Sequence, residues 1–307
     1  MDITSLFAAL PGNIAQGIIW GVMALGVYLT FRVLNIADLT VDGSFATGGA
    51  VTVVLITNGV PVPVAILVAV LAGALAGLCT GILHTVLGIP DILAGILSQI
   101  ALYSINLDIM SGCANMAVNV MKYKLLLSLR NVPGAILVSL IFVVVIIALM
   151  YWYLGTEQGS ALRSTGNNPA MSRAQGININ MMKVIALSLS NALVALSGGL
   201  IAQYQGFADI NMGRGAIVIG LAAVIIGEVI GNAIFKKKMN FVLRLSFVVI
   251  GAIIYYIVIG IVLWLHMPTN DLKLFTAIIV AIFLAVPYLK GTANNSFRKA
   301  AKRGAGK

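Results

Sequence analysis

The stretch Val62–Leu87, VPVAILVAVLAGALAGLCTGILHTVL, decides what kind of molecule this is. It contains no Asp, Glu, Lys or Arg, and it exceeds the roughly 20 apolar residues that carry an α-helix across ~30 Å of hydrocarbon. Ala65, Ala69, Gly73, Gly77 and Gly81 recur at four-residue spacing, which draws one smooth stripe along such a helix. In lipid, apolar faces gain little by leaving their surroundings, so helices associate through close backbone packing over small residues. The stretch reads as a membrane span whose smooth face packs on another helix, with ligand contact as the alternative. Shorter stripes of the same kind are Gly17 with Gly21, Ala195 with Gly199, and Gly227 with Gly231.

Comparable apolar segments run at Ile14–Leu29, Gly43–Thr57, Ile92–Ile109, Gly134–Leu154, Val184–Tyr204, Gly215–Phe235, Phe241–Leu265 and Leu272–Leu289. Of 307 residues 60% are hydrophobic and 9% charged, against roughly 25% charged in soluble domains. The fold class is therefore all-α, a polytopic integral membrane helix bundle of about nine spans. The net charge of +10 is a topology signal rather than a sign of nucleic acid. With the C-terminal tail inside, only Lys122, Lys124, Arg130, Arg214 and Lys273 of the 19 basic residues fall outside. That gives an N-out, C-in orientation, a membrane domain over residues 1–289 and a basic cytoplasmic tail over 290–307. The start, MDITSLFAALPGN, lacks the basic region and cleavage site of a signal peptide and is expected to remain on the mature chain.

Chemistry within the chain is sparse. No GxxxxGK[ST] is present, so ATP is not bound here through a Walker loop, and no HExxH or GxSxG suggests an enzyme. Cys79 and Cys113 show neither disulfide nor metal-ligand spacing. His84 and His266 are isolated near span ends and read as satisfied interfacial imidazoles. Glu228 lies within a span, where a carboxylate is either a proton site or a structural group reaching the inner interface or a neighbouring helix.

Leu34–Gly49, LNIADLTVDGSFATGG, mixes Asn35, Asp38, Thr40, Asp42, Ser44 and Thr47 with apolar residues. It is either a cytoplasmic loop or a broken helix lining a path, because irregular polar backbone at membrane depth survives only when buried in protein or facing water. Ser98, Gln99, Asn191, Gln203 and Gln205 could bond a polar solute or a neighbouring helix. Candidate path residues are thus Asp38, Thr40, Asp42, Ser44, Gln99, Asn191 and Gln203.

The polar stretch Leu154–Lys183 falls inside the cell on this topology, and its loop spans 155–183. In TGNNPAMSRAQGI, Asn168 suits an N-cap, Pro169 a first helical turn and Gly176 a C′ position, which frames a two-turn helix. Ala170, Met171 and Ala174 share a face, with Ser172, Arg173 and Gln175 elsewhere. So short a helix is marginal alone. Its partly apolar face fits a groove in a partner.

LRSTGNNPAMSRAQGI resembles the cytoplasmic coupling loop of permease subunits of bacterial ATP-binding-cassette importers, in the branched-chain amino acid and simple-sugar permease superfamily. GVYLTFRVLNIADLTVDGSF, LHTVLGIPDILAGILSQIALYSINLDIM, LSNALVALSGGLIAQYQGFADINMGRGAIVIGLAAVIIGEVIG and NDLKLFTAIIVAIFLAVP extend the resemblance over nearly the whole chain, closest to tryptophan/tyrosine transport permeases. It implies a permease that dimerises, docks two cytoplasmic ATPase subunits that bind the ATP, needs no cofactor of its own, and receives solute from an extracellular binding lipoprotein. The ATPase contact it implies falls on Arg163, Gly166, Asn167, Ala170, Arg173 and Gly176, to which the capped helix adds Asn168, Pro169 and Met171. Ser164 stands where similar sequences usually carry Ala, and the external stretch Ser111–Gly134 matches less well. The rival from another class is an ion-coupled secondary transporter or channel that uses Glu228 or Asp42.

Overall fold

A computed structural model describes residues 3–235 and 239–264, with single positions 274, 277, 278, 281 and 285 beyond them. Among these residues, eight helices are long and apolar enough to cross a membrane. They are α1 (Ile3–Tyr28), α2 (Thr40–Thr57), α3 (Val62–Thr85), α4 (Asp91–Ile109), α5 (Val132–Gly155), α8 (Ile179–Gln205), α9 (Ala216–Phe235) and α10 (Phe241–Trp264). A π-helical turn, Leu29–Val33, prolongs α1. Between α5 and α8 lie α6 (Glu157–Asn167) and α7 (Pro169–Ala174), and β1 (Asn115–Ala117) pairs antiparallel with β2 (Phe207–Asp209). The expected ninth span, Leu272–Leu289, falls outside the described residues apart from those single positions, as do Lys236–Lys238, His266 and the tail 290–307.

Helix starts are set by polar side chains that hydropathy does not register. α2 begins at Thr40 rather than Gly43, directly after an Asx turn in which Asp38 Oδ1 accepts from the Thr40 N–H at 2.9 Å; its N-cap, Leu39, offers no side-chain bond. α8 begins at Ile179 rather than Val184 because Asn178 Oδ1 accepts from the Met181 N–H at 3.1 Å.

α1, α2 and α8 form the buried centre, and α4 and α5 the periphery. Exposed Leu67, Leu71 and Leu75 on α3 and Ile141, Val144 and Trp152 on α5 form outward apolar faces suited to lipid. The small-residue stripe of α3 packs on α8: Gly73 backs onto the Asn191 carbonyl and Gly77 onto the Leu187 carbonyl, leaving no space for a Cβ. Gly17 and Gly21 meet Ile253 and Val249 of α10, Gly199 meets Thr52 of α2, and Gly227 meets Phe247 and Val248. These stripes are helix–helix contacts. Buried hydroxyls add inter-helix hydrogen bonds, from Ser190 Oγ to the Gly26 carbonyl and from Ser197 Oγ to the Ile19 carbonyl, both 2.8 Å.

One end of the bundle gathers Arg32, Arg163 and Arg244 around a single cleft, and by the positive-inside rule it faces the cytoplasm. Lys183 at the start of α8 donates to His84 Nε2 at 2.9 Å, while His84 Nδ1 bonds the Ile89 carbonyl at 2.8 Å. The imidazole is satisfied and ties α3 to α8. At the other end, the segment after α4 covers the ends of α2 and α8: Tyr123 donates to the Thr57 carbonyl at 2.9 Å and the Val118 N–H to the Gly206 carbonyl at 2.8 Å.

A short likeness links two distant turns. Ile36-Ala37-Asp38-Leu39-Thr40 after the first span resembles Phe207-Ala208-Asp209-Ile210-Asn211 after α8. Each is preceded by a residue of positive φ, Asn35 at 58° and Gly206 at 81°, a region open to Asn and Gly. Asp209 Oδ1 accepts from the Asn211 N–H at 2.7 Å, just as Asp38 does from Thr40. The likeness stops there, because Thr40 opens α2 whereas Phe207–Asp209 is β2 and α9 starts only at Ala216.

Candidate functional site

The cytoplasmic end is built from linked caps. Thr156 Oγ1 accepts from the Gly159 N–H at 3.3 Å and starts α6, a helix that hydropathy does not reveal because its residues are largely polar. Buried Leu162 and Thr165 hold it to the bundle. Gly166 lies against the Val33 carbonyl and Leu34 Cα, with no space for a side chain.

Asn168 ends α6 and caps α7, its Oδ1 accepting from the Met171 N–H at 3.1 Å. Pro169 occupies the first turn, and Gly176 takes φ 83° beyond the last, as the sequence predicts. Ser172 is the anchored residue of α7: it is buried and donates to the Asn168 carbonyl at 3.0 Å. Its hydroxyl also meets Ser164 Oγ at 3.0 Å, so the serine in the usual alanine position staples α6 to α7. Pro169, Ala170, Met171, Arg173, Ala174 and Gln175 are all exposed, so the outward surface of α7 is wider than the three-residue face expected. Arg163 and Asn167 border the adjoining cleft of about 610 Å³ with Arg32 and Arg244.

Within the bundle, Leu34–Gly49 is a broken helix rather than a solvated loop. Irregular chain over Asn35–Leu39 turns back into the protein, and α2 starts among buried residues. Thr40 Oγ1 bonds Thr80 Oγ1 at 2.8 Å, which in turn donates to Ser98 Oγ at 2.7 Å. Thr80 and Ser98 stand one and a half to two turns from the cytoplasmic ends of their helices, placing the start of α2 ~8–10 Å inside the bundle.

Asp38, fully buried, also accepts from Asn191 Nδ2 at 2.6 Å. Asp42 Oδ2 accepts from the Gly215 N–H and its Oδ1 from the Ile217 N–H, both at 2.9 Å, so it caps α9. The loop before α9 therefore descends along α2, with Met212 against Gly49 and Gly213 against the Asp42 carbonyl.

This descent corrects the position expected of Arg214. It lines a crevice of about 350 Å³ with Asp42, Gly43, Ala46, Gln99, Ile100, Tyr103, Ser104, Asn106 and Ile210. Of the seven path candidates, the structure brings Asp42 and Gln99 to the crevice. Asp38, Thr40 and Asn191 form the closed polar core beside it. Ser44 is buried without a hydrogen-bond partner, and Gln203 Oε1 accepts from the Leu126 N–H at 3.2 Å beneath the outer segment. Arg214, Tyr103 and Asn106 were not legible as site residues. The Asp38–Asp209 likeness, which sets the Arg214 loop opposite the α2 break, is the signal that could have revealed them.

Arg32 Nε and Glu228 Oε1 form an ion pair at 2.7 Å, the only one among the described residues. Glu228 is thus a structural carboxylate reaching a neighbouring helix. Among the described residues, no group of three or more His, Cys, Asp or Glu could hold a metal ion. Polar groups set in a crevice between helices can hold a small polar solute.

The family model described as branched-chain amino acid transport system / permease component matches residues 11–287. The chain is 40% identical over 284 residues to a protein named tyrosine transport system permease protein from Clostridioides difficile (strain R20291), covering 92% of each chain. It is 34% identical over 277 residues to an uncharacterized protein of Rickettsia prowazekii (strain Madrid E), covering 88% of this chain and 94% of the other. No solved structure gives a significant match.

Proposed function

Because the chain belongs to the branched-chain amino acid transport system permease family, we propose that it is the membrane subunit of an ATP-driven importer, passing an amino acid into the cytoplasm. Tyrosine or tryptophan is the expected cargo, in keeping with the name of the C. difficile relative. In this reading an extracellular binding lipoprotein delivers the solute to a pair of permease chains, and ATP is bound and split on cytoplasmic ATPase subunits.

The observation that carries the proposal is α7: a six-residue helix capped at both ends, at the basic end of the bundle, anchored through buried Ser172 with its other five residues exposed. An exposed helix too short to persist alone gains from a partner groove. Its attachments give a route for force. Gly166 bears on the Val33–Leu34 backbone, and Lys183 bears on His84 of α3. Displacing α7 would move α8, which holds Asp38 through Asn191, and would press on the break that starts α2. Alternating access then follows from shifting the spans about that break.

The ion-coupled alternative would use Glu228 or Asp42. Glu228 is paired with Arg32, and both Asp42 oxygens accept from backbone N–H groups, so each has a structural occupation. The proposal is tested in vesicles holding the assembled complex. Uptake should require ATP and persist with a protonophore; uptake that ignores ATP and collapses with the protonophore would overturn it.

A further inference from the structure

We propose that the crevice between α2, α4 and the loop before α9 is a solute station, in which Arg214 takes the α-carboxylate of the passing amino acid. This rests on the transport reading and specifies its substrate class and contact residues. Arg214 is a permanent cation in a loop that sinks along α2 to the level of Asp42. It is exposed on the crevice, and no carboxylate among the described residues pairs with it. A guanidinium at that depth needs water or an anion.

Asn106 supplies an independent sign of a ligand. It is 1% exposed and lines the same crevice, yet neither its amide nitrogen nor its oxygen has a hydrogen-bond partner. Buried amides are rarely left unsatisfied. Asp42 and Arg214 share the crevice without forming an ion pair, so two opposite charges stand apart with space between them. Asp42 accepts from backbone N–H groups at Gly215, Ala216 and Ile217, and a carboxylate's roughly four acceptor sites leave capacity for a ligand ammonium.

A zwitterion fits this pattern: carboxylate on Arg214, ammonium toward Asp42, with Asn106 able to donate or accept. Ile100 and Tyr103 provide an apolar and aromatic wall for its side chain. The volume of about 350 Å³ lies at the small end of ligand pockets, as suits an amino acid.

The test has two arms, both on the full chain in its assembled complex, with a labelled mixture of L-amino acids as the probe. In the first, Arg214→Gln should cut uptake by about tenfold or more while Arg214→Lys retains part of it, with membrane insertion and assembly of the complex checked in both. Wild-type uptake in Arg214→Gln would overturn the proposal. In the second, Ser104→Cys is placed in a chain lacking Cys79 and Cys113 and treated with a membrane-impermeant methanethiosulfonate. Labelling should occur and be slowed by the amino-acid mixture, and the slowing should vanish when Arg214→Gln is added. Absence of labelling, as a lipid head group filling the crevice would give, or labelling indifferent to amino acids, overturns it. Failure of the ATP-driven reading would look different, because protonophore-sensitive uptake would still depend on Arg214.

Discussion

Asp38 and Asp42 lie one turn apart and serve different helices. Asp38 forms the Asx turn that leads into α2 and holds Asn191 of α8; Asp42 reaches across to cap α9. Glu228 is different again, because its partner Arg32 is half exposed, with 54% of the side chain accessible against 21% for the carboxylate. Pairs open to solvent contribute about 0–1 kcal/mol. Glu228→Gln should therefore leave ATP-dependent uptake within about twofold of wild type and leave its pH profile unmoved, as measured in vesicles. Loss of uptake together with a displaced pH profile would return the proton-site reading to consideration.

Residue roles were legible in proportion to how local their cause is. Asn168, Pro169 and Gly176 act within one turn of chain, and the structure places all three as their residue types predict. Arg214 looks like an outer-loop cation because the descent of its loop is set by Asp42, far away in sequence. Ser172 points away from Ala170, Met171 and Ala174 as expected, but its anchoring role was not legible, because that comes from Ser164 on a helix invisible to hydropathy.

At the scale of elements, membrane spans announce themselves through length and hydropathy, and eight stand where apolar segments predict them. Their starts shift by several residues wherever a polar cap extends the first turn. α6 escaped notice because it is an amphipathic cytoplasmic helix with a mostly polar composition. One close helix contact lends itself to a direct test. Gly77 on α3 faces the Leu187 carbonyl of α8, a rigid backbone neighbour. Gly77→Leu should separate the two helices and lower stability by about 3 kcal/mol or more, since overpacking against backbone cannot relax through a rotamer. Thermal unfolding of the detergent-solubilised chain measures it, with Leu71→Ala on the exposed face of α3 as the comparison expected to change little. Equal effects from the two substitutions would contradict the packing account.

Across the whole molecule, the multi-pass helical membrane fold followed from composition, and the permease family, with the place in a bacterial plasma membrane that it implies, from motifs spread along the chain. The five-residue likeness of Ile36–Thr40 to Phe207–Asn211 was present in the sequence, and both copies form the same Asx turn after a positive-φ residue, though only the first leads directly into a helix. The break before α2 gives the proposed importer a pivot, and α7 with its linked caps gives a place to push. The most direct test measures solute-stimulated ATP hydrolysis in the reconstituted complex, for wild type and for Arg173→Glu and Gly176→Val. Arg173→Glu reverses the exposed charge of α7, and Gly176→Val forces a β-branched residue into a left-handed turn. The account predicts that both variants insert and bind lipid as wild type does but lose the stimulation; full stimulation in both would contradict it.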